Sequence, residues 1–278
     1  MTLTEQTPQR RDSAYALLEV DGVSKHFGGR GHGRFTAVDD VSLTFDSTKM
    51  IGIVGESGSG KSTLARMMVG LEHPSSGSVT LNGREMTSLL GATRTDRVYA
   101  RRTLQFVGQD TTSSFDPRRT LRDAVRRPAT LLHGLDKDAA DARVDSVLER
   151  LGLSPAQADR YPSEVSGGQR QRFALARGMV VSPRLLVCDE VVSALDVSVQ
   201  GSILNLLKKY CAEEQAGLTF VSHGLPATAF IADELVVMYH GKIVEHGPTQ
   251  RIIDAPEHPY TMRLLDAYRG PATPAAQG

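Results

Sequence analysis

Gly55-Glu56-Ser57-Gly58-Ser59-Gly60-Lys61-Ser62 is a glycine-rich run that ends in a lysine and a hydroxyl. Glycines let successive backbone N–H groups turn inward around an anion, and a helix starting there adds the positive end of its dipole. The spacing G-x-x-x-x-G-K-[ST] puts Lys61 within reach of the β- and γ-phosphates of a nucleoside triphosphate and the Ser62 hydroxyl on Mg²⁺. Thr63 follows and joins the same nucleotide-binding set. A second constellation lies far down the chain, where the apolar run Leu185-Leu186-Val187-Cys188 ends in Asp189-Glu190. Carboxylates at the C-terminal edge of a parallel strand lie where such sheets bind ligands. Asp189 is expected to hold Mg²⁺. Glu190, one residue on and aimed differently, is expected to orient and deprotonate an attacking water.

These groups need elements to carry them. Ile51 to Val54 reads as a buried strand feeding the glycine loop, followed by a helix from Lys61 to Val69. Further strands are expected at Leu17–Val20, Ala37–Phe45, Ser78–Leu81, Leu104–Val107, Leu185–Cys188, Leu218–Val221 and Leu235–Tyr239. Gly28 to Arg34 is a glycine-rich loop that reads as a flexible hairpin tip. From Thr120 to about Val181 the pattern is helical, with Val144, Val147, Leu148 and Leu151 on one face. A later helix carries Val199, Ile203, Leu206 and Leu207 on one face. Strands alternating with helices predict a mostly parallel sheet covered on both sides. The block from about 110 to 181 interrupts that alternation as an inserted helical subdomain. Residues 1–14 lack periodicity and read as a disordered N-terminus, and the proline-rich tail beyond Gly247 reads as a short appendage ending in disorder.

Composition narrows the function. The 278 residues carry 32 Lys+Arg and 32 Asp+Glu, with 40% hydrophobic residues, enough for one large domain with a satellite. A chain of zero net charge is poorly suited to general polyanion binding, so no nucleic acid is expected. No stretch approaches the ~20 apolar residues of a membrane span. The polar N-terminus does not read as a secretion signal. Cys188 and Cys211 make no disulfide framework and fit a reducing compartment.

Ser166-Gly167-Gly168-Gln169, followed by Arg170-Gln171-Arg172, resembles the signature motif of the ABC-type ATPases, with Val165 in place of the usual leucine. The resemblance covers roughly residues 17–265. It implies an α/β fold: a P-loop ATPase with a RecA-like parallel-sheet core, an N-terminal antiparallel β subdomain and an inserted α-helical subdomain. The ATPase domain would span 15–248, with a C-terminal extension over 249–278. ATP and Mg²⁺ are the implied cofactors. Gln109 matches the glutamine that senses Mg²⁺ and touches the membrane partner, Asp196 the D-loop aspartate, His223 the switch histidine at the γ-phosphate, and Phe27 the aromatic that stacks on adenine. In the family the Ser166–Gln169 segment serves the nucleotide of a second cassette in a head-to-tail dimer. Gln109-Asp110, Ser113 to Arg118, Leu195 to Gln200 and His258-Pro259-Tyr260-Thr261 are similar to the branch that powers peptide and nickel importers. That branch implies transmembrane permease partners at the cytoplasmic face of the membrane and, indirectly, a solute-binding protein. The competing reading is a soluble ABC-type ATPase of a non-transport complex such as a carbon–phosphorus lyase assembly. Val191, Gly224 and Thr111 depart from the family pattern, but none removes a ligand or base. The tail has no cysteine, so no iron–sulfur cluster is expected.

Overall fold

Strands buried on both faces read as continuous apolar runs, and four such runs build the centre of this protein. The computed structural model describes residues 15–28, 33, 35–110, 113–193, 195 and 197–269. The expected loose N-terminus, most of the 28–34 loop, Thr111, Asp196 and the last nine residues lie outside the described residues.

In chain order the strands are β1 (Leu17–Phe27), β2 (Phe35–Asp46), β3 (Met50–Val54), β4 (Ser76–Leu81), β5 (Arg84–Glu85), β6 (Leu104–Val107), β7 (Leu185–Asp189), β8 (Gly217–Ser222), β9 (Glu234–Tyr239) and β10 (Lys242–Pro248). Among the described residues they form two sheets. One is antiparallel, in the order β2-β1-β4-β5. The other runs β10-β9-β3-β8-β7-β6 and is parallel except at its β9–β10 edge. Successive side chains of a strand face opposite ways. Leu186 and Cys188 therefore enter one core and Leu185 and Val187 the other.

Helices α1 (Lys61–Met68), α2 (Met86–Gly91) and α3 (Arg94–Thr103) come before β6. Between β6 and β7 lie α4 (Leu121–His133), α5 (Lys137–Arg150), α6 (Pro155–Ala158) and α7 (Gly167–Met179). Thr120 and Asp136 cap α4 and α5 by accepting from the Asp123 and Ala139 N–H groups. Val144, Val147, Leu148 and Leu151 are buried in the core against α4 and α7. Then come α8 (Val197–Glu214), α9 (Leu225–Ile231), α10 (Thr249–Asp254) and α11 (Pro259–Arg269).

One expectation needs correction. β1 is 11 residues long rather than the short Leu17–Val20 piece, because irregular pairing after Val20 breaks the period-2 pattern without ending the strand. The tail expected as a short appendage carries two helices among its prolines. Pro248 precedes α10 and Pro259 opens α11, where a missing N–H costs a helix nothing.

Gly52 lets α9 lie directly on β3. A Cβ there would overlap the Thr228 methyl and come 2.9 Å from the Ala232 Cβ. Gly52→Ala should therefore destabilise the chain by about 1–3 kcal/mol in urea denaturation, the usual cost of overpacking. An unchanged midpoint would show that α9 yields freely.

Candidate active site

The phosphate loop joins the end of β3 to the start of α1. A Cβ on Gly55 or Gly60 would overlap the backbone oxygen of Met238 or Ala37, and Gly60 has φ +100°, so the fold itself requires glycine at both. Gly60 caps α1 with no side-chain acceptor, and the first turn carries no acidic residue. The N–H groups of that turn are thus left for an external anion.

Lys61 is only 3% exposed. Its Nζ donates to the Gly55 and Glu56 carbonyls, each at 2.7 Å, and to Ser59 Oγ at 3.2 Å. Burial pulls its pKa down, against the pull of Glu190, Asp189 and Glu56. The ammonium is folded onto its own loop, with carbonyl partners that phosphate oxygens can replace. Ser62 Oγ donates to Asp189 Oδ1 at 2.9 Å. Asp189 is 2% exposed, and burial pushes its carboxyl above the ordinary value.

Glu190 follows β7 in the left-handed region, at φ +52°. Its N–H donates to the Val221 carbonyl at 2.8 Å, and its own carbonyl accepts from Ser193 Oγ at 2.9 Å. The carboxylate faces His223, with Oε1 3.4 Å from Nδ1. His223 follows β8 and its side chain is 54% exposed. Gly224, where the family pattern has an aspartate, donates its N–H to Ser222 Oγ at 3.0 Å and accepts from Thr228 Oγ1 at 2.8 Å. Val191, in place of the usual proline, packs into the core.

The fold thus gathers Gly55, Glu56, Ser57, Gly58, Ser59, Gly60, Lys61, Ser62, Thr63, Asp189, Glu190 and His223 at the C-terminal ends of β3, β7 and β8. Other expected residues stand apart. Gln109 is exposed two residues beyond β6, and no hydrogen bond among the described residues ties it to Ser62, Asp189 or Glu190. Phe27 ends β1 as an exposed ring, with Lys25 Nζ 5.1 Å from its centroid. Ser166 caps α7 by a reciprocal pair: its Oγ accepts from Gln169 N–H at 3.2 Å and its N–H donates to Gln169 Oε1 at 2.9 Å. Among the described residues, a Cβ on Gly167 would meet only Arg170 Nη2 at 4.0 Å, and one on Gly168 only Leu195 Cδ2 at 3.5 Å. No close contact among the described residues demands glycine at either position.

Two tyrosines of α11 reach the site with no role assigned to them from the sequence. Tyr260 Oη accepts from the Glu56 N–H at 2.8 Å, and Tyr268 Oη donates to the His223 carbonyl at 2.7 Å. Tyr260 stands in a tail motif, but nothing local in that motif points at a loop 204 residues away.

Comparisons with known proteins show the family and the fold. Residues 38–193 match the family model described as ABC transporter. The chain is 40% identical over 238 residues to the di/tripeptide transport ATP-binding protein DppF of Pseudomonas aeruginosa, covering 86% of this chain and 73% of that one. It is 38% identical over 257 residues to the oligopeptide transport ATP-binding protein AppF of Bacillus subtilis, covering 90% of this chain and 78% of that one. The solved dimer of the ATP-binding cassette MJ0796 with ADP and Pi shares the fold, at a TM-score of 0.76 and 24% identity over 84% of this chain and 98% of that one. The chain belongs to the ABC transporter family, with the α/β fold of its ATP-hydrolysing cassettes.

Proposed function

We propose that this chain is the ATP-binding and ATP-hydrolysing subunit of an importer for peptides or related small solutes, such as nickel chelates or metallophores. The observation that carries the reading is the meeting of Lys61, the Ser62–Asp189 pair and the Glu190–His223 pair at one sheet edge. The names of relatives near 40% identity support the solute class.

Phosphoryl transfer to water needs positioning and charge neutralisation more than covalent help. Lys61 exchanges its loop carbonyls for phosphate oxygens. Glu190 takes the proton of the attacking water, and His223 orients both water and γ-phosphate. Phe27 offers a ring face to adenine. The exposed Ser166–Gly168 turn of a second cassette closes the site. Gln109 and the helices between β6 and β7 carry the change to the permease, and Asp196 belongs to the same dimer contact.

Ser62 Oγ and Asp189 Oδ1 suit Mg²⁺: both are hard oxygen donors, 2.9 Å apart, and one carboxylate suffices where substrate phosphates supply further ligands. Among the described residues no group of three or more His, Cys, Asp or Glu forms a separate metal cage. When bound, the ion neutralises charge on the β- and γ-phosphates. We read 15–248 as the ATPase domain, with its helical part at about 110–181, and 249–278 as an extension. No described helix is long and apolar enough to cross a membrane. The chain would sit at the cytoplasmic face, held by permease subunits, with a solute-binding protein setting specificity.

Asp189 gives a pH-dependent test. Its raised pKa means the folded chain holds this proton more tightly than the unfolded chain. Its contribution to stability is present below the ordinary carboxylate range and lost as pH rises through the raised value. At neutral pH Asp189→Asn should therefore raise the melting temperature of the ligand-free chain, a gain that vanishes in acid. The same variant should lose the added stabilisation that Mg²⁺ gives with ATP. A Mg²⁺ increment equal to that of the wild type would remove Asp189 from the cation site.

The function itself is tested in membranes. A tagged chain should co-purify with two integral-membrane subunits, and inside-out vesicles carrying that complex should couple ATP hydrolysis to movement of a labelled di- or oligopeptide. Recovery with soluble enzymes alone would overturn the reading.

A further inference from the structure

We propose that α11 is part of the ATPase site, with Tyr260 and Tyr268 as positioning residues for the phosphate loop and the switch turn. The proposal rests on the ATPase reading above and adds a segment outside the 38–193 family match.

One peptide group carries the first half of the argument. The carbonyl of Gly55 and the N–H of Glu56 belong to the same trans peptide, so they point in opposite directions. The Gly55 carbonyl accepts from Lys61 Nζ at 2.7 Å, and the Glu56 N–H donates to Tyr260 Oη at 2.8 Å. Lys61 and Tyr260 thus hold the two ends of one peptide plane. Glycine on one side of that plane gives it little intrinsic resistance to rotation. The Tyr260 hydroxyl supplies the resistance. It also satisfies a backbone donor that would otherwise be left in a partly buried place.

Tyr260 is itself firmly held. It is 1% exposed and its ring stacks on Tyr239 of β9, with centroids 4.1 Å apart. The buried Glu245 carboxylate on β10 accepts from the Glu257 and His258 N–H groups at 3.0 and 3.2 Å, fixing the approach to α11. His258 Nδ1 accepts from the Tyr260 N–H at 3.1 Å.

The second half comes two turns later. Tyr260, Leu264 and Tyr268 fall at i, i+4 and i+8, on one stripe of the helix. Eight residues of helix span about 12 Å, enough to bridge from the phosphate loop to the switch turn. There Tyr268 Oη donates to the His223 carbonyl at 2.7 Å. Ser222 and Thr228 hold the adjoining Gly224, which has no side chain of its own to brace the turn. α11 therefore grips the loop that holds Lys61 and the turn that carries His223.

The test uses the full chain. Tyr260→Phe keeps the stacked ring and removes the acceptor. It should weaken ATP binding about tenfold, the effect of one unsatisfied donor, while kcat changes by less than about threefold. Exchange of the Glu56 amide in the ligand-free chain should speed up. Tyr268→Phe should leave the ATP Kd within about twofold and lower kcat about fivefold, because it loosens a group that acts on the reacting phosphate. Its ring is exposed, so this variant serves even if Tyr260→Phe folds poorly. An active wild type with both variants unchanged overturns this proposal and leaves the ATPase reading intact. A lowered melting temperature without the Kd and kcat split also overturns it. A wild type that neither binds nor hydrolyses ATP sinks both.

Discussion

Glu190→Gln should bind ATP as well as the wild type and release phosphate about 10²–10⁴-fold more slowly, the scale of a positioned acid–base group. The backbone at Glu190 is pinned through Val221 and Ser193, so the isosteric amide will occupy the same place. It keeps the volume and the His223 neighbour and loses only the ability to accept a proton. Lys61, Ser62 and Asp189, which would bind the triphosphate, are untouched. Phosphate release at saturating ATP, with nucleotide affinity measured in parallel, separates the two steps. Turnover within about threefold of the wild type would assign the base elsewhere.

Ser166→Arg should spare nucleotide binding and lower turnover about 10²-fold or more, the scale of losing preorganised donors at a developing charge. The reason lies in the glycines beside it. Gly55 and Gly60 are required by close backbone contacts inside this chain, whereas among the described residues Gly167 and Gly168 meet no contact closer than 3.5 Å. An exposed helix start with no such internal demand fits the proposed contact with a second cassette. Arginine there would obstruct a second cassette. The substitution also removes the cap of α7, which costs about 1 kcal/mol, so Ser166→Ala serves as the control for the cap alone. Light scattering in a Glu190→Gln background reads the outcome. ATP should drive dimerisation in the parent and the Ser166→Ala form but not in the Ser166→Arg form. Dimerisation undiminished by arginine would refute the shared site.

The two variants probe different links. In the proposed function Glu190 would act within one chain, through a bond-making step, and Ser166 between chains, through assembly. A protein that lost turnover with Glu190→Gln yet ignored Ser166→Arg would be a self-sufficient ATPase, a different machine from the one proposed.

Features set by neighbours in sequence are legible in the chain itself. The strand–loop–helix around Gly55–Lys61 follows from glycines beside an apolar run, and the Ser166–Gln169 cap closes over three residues. The alternation of Val41, Leu43 and Phe45 marks β2, and all three are buried. Elsewhere the local signal is weak or misleading. α3 carries too few apolar residues to stand out, because its sequence is mostly charged and polar and its one buried residue is Ala100. The prolines of the tail conceal two helices that they in fact introduce.

By itself, then, the sequence determined the phosphate-cradling loop, the acidic pair behind its apolar strand and the family to which both belong, because each is a short-range arrangement of backbone and side chain. Tertiary structure alone decided which of these meet. Ser62 finds Asp189 across 127 residues and Tyr260 finds Glu56 across 204, because the sheet order sets β3, β8 and β7 side by side and α11 folds back over their ends. No periodicity encodes such pairings, since they are fixed by how distant apolar faces pack.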